Sequence, residues 1–321
     1  VGYVYALLAA VLFGANGSVT KLIMEAGLSP AQVTQFRLVG AAIIAGLVLL
    51  IIDRRAFRMP RRQWPIMIVL GVVGVALLQG TYAAAVQRLP VGIALLLEYT
   101  AVLMVALVAY FFFKETVKAR LWVAIALVLV GLAIVAQVWA STLDGLGMVF
   151  AMAAAVCLAL YFLIGEKQVT RTSPLALSFW TMSFAAIFWA FISGWWELSP
   201  GVFLEPVDLG GQGAEVIVPM WLPLAWNIVL GSFAPFMLSL ASLRYLSATA
   251  AGIVASSEVV FAFVVAWAWL GETLGLVQVL GAAVVLAGII LAQTARSTKV
   301  VVDADLALNT GPITTVDTSL R

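Results

Sequence analysis

Three full charges interrupt runs that are otherwise apolar: Arg37, Glu98 and Glu258. Glu98 is the plainest case, since VGIALLLEYTAVLMVALVAYFFF (91–113) carries no other charge. In hydrocarbon a carboxylate costs about 2.5–3.5 kcal/mol on insertion scales, so it is expected to be hydrated, paired or bound to a ligand. Carboxylates hold ammonium groups or carry a proton, and a guanidinium holds a carboxylate. The three residues therefore suit the charged ends of a small zwitterion. They do not make a catalytic set. The chain has no histidine, and Asp53, Asp144, Asp208, Asp303, Asp305 and Asp317 all fall in connections or the tail. Intramembrane hydrolysis needs a Ser-His pair, two aspartates or a metal, so the chain reads as a non-enzyme with no cofactor.

The elements that must position these charges are membrane helices. The chain is 64% apolar and 10% charged, far from the balance of a soluble domain. Apolar runs of about 20 residues place ten spans at 3–23, 30–52, 65–86, 90–113, 120–140, 145–165, 174–196, 221–243, 247–270 and 275–294. Short connections predict that consecutive spans pack as antiparallel neighbours. Two segments stand apart: a loop over Glu197–Met220 and a polar tail, 295–321, expected to be disordered and cytoplasmic. With the N-terminus inside, fourteen Lys and Arg fall on inner connections and tail against Lys21 and Arg88 outside. The positive-inside rule then sets both termini in the cytoplasm and the protein in the plasma (inner) membrane. The chain opens on Val1 rather than methionine, so its native start is expected upstream. Cys157, the one cysteine, reads as a small core residue. A net charge of +2 and the lack of a basic aromatic patch argue against nucleic acid.

Ten spans divide into five counted twice. Sliding the chain by 157 residues aligns 71–136 with 228–293, with fourteen of 66 positions identical. Glu115-Thr116 and Gly131 then match Glu272-Thr273 and Gly288, and Ser29-Pro30 matches Ser173-Pro174 at a shorter offset. Five is odd, so the second unit (145–294) enters the membrane inverted relative to the first (1–140). Inverted repeats exchange inward-open and outward-open states around one central site. That symmetry points to a transporter moving a small molecule.

Several stretches carry a resemblance: LLAAVLFGANGSVTKL with Arg37 in the next span, YAAAVQRLPVGIALLLEYTAVLMVAL (82–107), and YLSATAAGIVASSEVVFAFVVAWAWLGETLGLVQVLGAAVVLAGIILA (245–292). On these the chain resembles the EamA-type drug/metabolite transporter superfamily over about residues 3–294, in look nearest its amino-acid and metabolite exporter branch. There the run after Glu98 usually continues into Gly-Pro; here Ala101-Val102 stands in that place. The resemblance implies export of amino acids, purines, quaternary cations or other small metabolites.

Arg37 lies about seven residues (~10 Å) and Glu98 about eight (~12 Å) below the outer ends of their spans, so an ion pair or a shared polar cavity is expected. An ion pair that only locks helices remains an alternative. Glu258 sits near the midplane, opposite Ala101 in the repeat, on the Glu98 face. Candidate cavity residues are Gln79, Tyr82, Tyr161, Trp180 and Phe261. Aromatics beside carboxylates suit apolar amino acids and, through cation–π contacts, organic cations. Glu98 is the candidate for coupling to protons. Pro235 inside span eight removes a backbone hydrogen bond, making Gly231–Pro235 a candidate kink or gate; Leu78-Gln79-Gly80 occupies the aligned place in span three. Glu115 and Glu272, at span ends, read as helix caps. Small-residue pairs Ala42/Gly46, Gly71/Gly74, Ala251/Ala255 and Gly288/Ala292 are spaced for close helix packing. No phosphate-binding glycine loop is present, so energy would come from an ion or substrate gradient.

Overall fold

A computed structural model describes residues 1–294 apart from 87, 90, 113–117, 138, 140–143, 211–215 and 271–274. The KET and GET turns with Glu115 and Glu272, and the tail, lie outside the described residues. The chain is almost wholly helical: α1 Gly2–Glu25, α2 Pro30–Ile52, α3 Trp64–Gly71, α4 Leu78–Val86, α5 Val91–Tyr99, α6 Ala101–Phe111, α7 Ala119–Ala136, α8 Gly145–Gln168, α9 Pro174–Ala190, α10 Trp221–Ile228, α11 Ala234–Ser242, α12 Ala248–Ala255, α13 Glu258–Leu270 and α14 Leu276–Thr294. Among the described residues seven helical stretches are long and apolar enough to cross a membrane, and three shorter apolar helices, Ala119–Ile134, Pro174–Ala190 and Leu276–Ala292, accompany them.

Local sequence explains the helix ends. Ser29 and Gln32 form a reciprocal capping box before α2, with Pro30 at its first position. Ser173, followed by Pro174, caps α9 by accepting the Ala176 N–H, and Asp144 and Ser247 cap α8 and α12. Gly27, at φ +113°, makes the turn between α1 and α2.

Four spans are not continuous α-helices where a straight run of apolar residues predicts them. Span four breaks at Thr100, between α5 and α6, and span nine breaks at Ser256-Ser257, between α12 and α13. At each break a hydroxyl takes up a carbonyl three residues back: Thr100 Oγ1 to Leu97 O at 2.5 Å, Ser257 Oγ to Val254 O at 2.7 Å. These two bonds sit at the same 157-residue offset. Spans three and eight instead loosen into π-helix, at Val72–Leu77 and Val229–Phe233, again offset by 157. The second lies just ahead of Pro235, which stands in the first turn of α11. The wider π turns leave carbonyls for partners outside the helix.

The expectation that consecutive spans pack together needs correcting. The most extensive packing is between α7 and α14, α2 and α9, α1 and α13, α4 and α8, and α1 and α11, whereas α1 and α2 touch little. Short loops fix direction, but bare helix faces choose partners. A Cβ on Gly288 would meet Ala124 O at 3.0 Å and one on Gly131 would meet Gly281 O at 2.9 Å, so α7 and α14 approach nearly backbone to backbone. Gly46 faces the Phe179 ring, Gly71 faces Thr181 and Gly74 faces Tyr161. Outward faces of α2, such as Ile43 and Leu47, are exposed and apolar, as lipid contact requires.

The 197–220 connection is not plain loop either. It holds short 3₁₀ turns at Trp195–Glu197 and Pro200–Leu204 and an antiparallel pair, β1 Pro206–Asp208 with β2 Ile217–Pro219. Val207 and Met220 are buried with Val19, Ile23, Leu28 and Val33. Trp269 Nε1 donates to Leu209 O at 2.9 Å, and Phe203 meets Phe36 edge-on. The hairpin thus covers the ends of α1, α2 and α13.

Candidate functional site

The breaks deliver the charges. Glu98 is the penultimate residue of α5 and Glu258 the first of α13. Glu258 therefore sits where a helix N-terminus favours an anion, and Glu98 near a C-terminus, where it does not. Tyr99 Oη donates to Glu258 Oε2 at 2.6 Å. Glu98 is 9% exposed and its Oε2 has no hydrogen-bond partner. The two carboxylates are close enough to act on each other electrostatically, and Tyr82 lies within reach of both and of Arg37. Four elements thus converge: α2, α4, the α5 end and the α13 start.

Arg37 does not pair with Glu98. Its Nε donates to Ser232 Oγ at 2.8 Å and its Nη2 to Gly231 O at 3.1 Å. The π turn explains this, because it leaves a carbonyl and a hydroxyl turned toward α2. Glu258 is the carboxylate whose field acts on Arg37. Among the described residues the ion pair is Arg88–Asp144, at 3.7 Å and exposed.

A polar chain extends from Arg37. Ser232 Oγ donates to Asn227 O at 3.0 Å, Asn227 Nδ2 to Thr20 Oγ1 at 2.8 Å, and Asn16 Nδ2 to the same hydroxyl at 3.2 Å. Asn16, Asn227 and Ser232 are buried. Gly231 has no side chain because a Cβ there would land on the Asn16 amide. The other π segment has a counterpart: Trp189 Nε1 donates to Ala76 O at 3.2 Å, and its ring closes on Gly80. Each π segment is thus held by a donor from a helix more than a hundred residues away in sequence.

The remaining sequence candidates divide. Phe261 follows Glu258 by one turn, where α13 crosses α1 at the bare Gly14. Tyr161 is buried edge-on to Phe162 and Phe236. Gln79 is half-buried, directly after the first π segment. Trp180 sits in an aromatic cluster with Trp64, Phe179 and Phe184, with none of the acidic residues among its ring partners. Sequence reasoning passed over Tyr99, Asn16, Thr20, Asn227 and Ser232. Tyr99, next to Glu98, faces about 100° away from it in a straight helix, and only the break at Thr100 changes where that face leads. Asn16 and Thr20 did carry a signal, being four apart in an apolar span and hence on one face.

The model of the EamA-like transporter family matches residues 1–137 and 145–294. An uncharacterized transporter from Archaeoglobus fulgidus is 27% identical over 215 residues, covering 66% of this chain and 70% of that protein. The threonine/homoserine exporter RhtA of Salmonella typhimurium is 27% identical over 206 residues, and that of Escherichia coli K12 is 26% identical over 209; each match covers 63% of this chain and 62% of the exporter. The chain thus spans less than two thirds of the exporters' length. A crystal structure with 15% identity matches 91% of the chain, and 96% of its own, with a TM-score of 0.72. The apolar helices and these relatives indicate a multi-pass membrane protein.

Proposed function

The chain belongs to the EamA-like transporter family, and from that premise we propose that it is a secondary transporter exporting small metabolites, foremost amino acids or related zwitterions. The observation that carries this reading is the convergence of Glu98, Glu258 and Arg37, buried or half-buried, from three different spans. An ammonium group would be held by the carboxylates and a carboxylate by Arg37, with Tyr82 and Tyr99 closing the sides. Glu98, with an unsatisfied oxygen, is the group to exchange a proton for substrate. The RhtA relatives, named as threonine/homoserine exporters, support the amino-acid class. The same carboxylates among tyrosines also favour a second reading, export of lipophilic or quaternary cations.

The ten crossings, two inverted five-helix units at 1–140 and 145–294, cytoplasmic termini and a place in the plasma (inner) membrane belong to the same proposal. Packing supports the repeat: α1 lies on α11 and α13, and α8 lies on α4 and α5, with α2–α9 and α7–α14 between the halves. The π segments, including Gly231 beside Pro235, are the flexing points for alternating access. Transport rather than catalysis is the activity. Flux of labelled amino acids and of a quaternary cation in proteoliposomes, with and without a pH gradient, tests this. Selective amino-acid flux is expected; cation flux alone would favour the second reading, and no flux of either would overturn both.

A further inference from the structure

Away from the charged site, a shallow groove of about 330 Å³ runs along the outside of the bundle between α2 and α9. Ala42, Gly46 and Leu50 form one wall, Phe179 and Ser183 the other, and Phe57 closes one end. From Ala42 to Leu50 is eight residues, ~12 Å at the helical rise, close to the ~15 Å depth of one leaflet's hydrocarbon. The groove ends where the chain turns basic. Arg54, Arg55 and Arg58 are exposed, and Arg54 Nε folds back to Leu50 O at 3.0 Å, at the groove's rim. The nearby Asp53, whose Oδ1 accepts the Arg55 backbone N–H at 3.0 Å, offsets one of the three charges and leaves the cluster positive. Among the described residues none of these arginines is in an ion pair.

We propose that this groove seats one acyl chain of an anionic phospholipid whose phosphate lies on Arg54, Arg55 and Arg58. Apolar lining alone takes any chain; the adjoining unpaired positive charge selects an anionic headgroup. A juxtamembrane arginine is worth about fivefold in affinity for anionic lipid, so three arginines beside one aspartate give roughly a 25-fold preference over a zwitterionic headgroup. The inference needs only a membrane-embedded chain and is independent of what is transported.

The test uses the purified full chain in detergent, titrated with phosphatidylglycerol, phosphatidylcholine of the same acyl chains, and soluble glycerol phosphate. Retained lipid is read by native mass spectrometry and protection by thermal unfolding. Phosphatidylglycerol is expected to be retained and protective, with phosphatidylcholine roughly 25-fold weaker. The variant R54Q/R55Q/R58Q is expected to erase that preference, and Ala42→Leu, which fills the groove, to weaken both lipids. Equal retention of the two lipids by the unmodified chain would overturn the proposal, whatever the variants do. So would equal protection by glycerol phosphate, which lacks a chain.

Discussion

Replacing Glu98 by glutamine separates a transport carboxylate from a structural one, because the two roles give opposite signs in stability. Glu98 is 9% exposed and its Oε2 has no protein partner, so no hydrogen bond seen at that oxygen is lost on amidation. Placing a charge at membrane depth costs about 2.5–3.5 kcal/mol, and a neutral amide recovers part of it. The variant is therefore expected to be as stable as the parent or more stable by about 1–2 kcal/mol. Substrate affinity should move the other way. Removing one member of a buried charge pair costs at least about 2 kcal/mol, roughly thirtyfold. The assays are thermal unfolding in detergent and initial flux against substrate concentration in proteoliposomes. A destabilised Glu98→Gln with unchanged half-saturation would refute the reasoning and leave Glu98 a helix lock.

Three further outcomes follow from packing. Gly231→Ala is expected to destabilise by about 1–3 kcal/mol, because the new methyl meets the Asn16 amide; thermal unfolding should show recovery in the Asn16→Ala/Gly231→Ala double variant. Trp189→Phe removes the donor to Ala76 O and should cost about 0.5–1.5 kcal/mol, read by the same melt. Arg88→Ala breaks an exposed ion pair and should shift stability by less than about 1 kcal/mol while flux stays unchanged.

Hydropathy exposed the membrane class and the general placement of spans, since a window of twenty apolar residues has few other uses. Charges in those windows led to Glu98, Glu258 and Arg37, and the structure brings all three into one region. The partner of each charge was not legible. A helix reading extends 3.6-residue geometry through Thr100, Ser256 and the π segments, so it misjudges every direction beyond the break. Hence Tyr99 was missed, and of the two arrangements that depth offered Arg37 and Glu98, an ion pair or a shared polar cavity, the ion pair gives way to a π-turn carbonyl that takes the guanidinium. Gly231 and Pro235 were visible as punctuation, but the π turn that holds Gly231 is met by Arg37 and Asn16, remote in sequence. Neighbouring helices were misjudged for a related reason: loop length is local, whereas the glycine faces joining α7 to α14 select their partners in space.

The two π segments are held by unlike donors, a guanidinium at Gly231 and an uncharged indole at Ala76. A change of charge at the carboxylates therefore meets a charged partner at Gly231 and a neutral one at Ala76. Two stretches of like geometry are thus wired to different kinds of signal: one is expected to shift when the carboxylates gain or lose a proton, and the other to stay put.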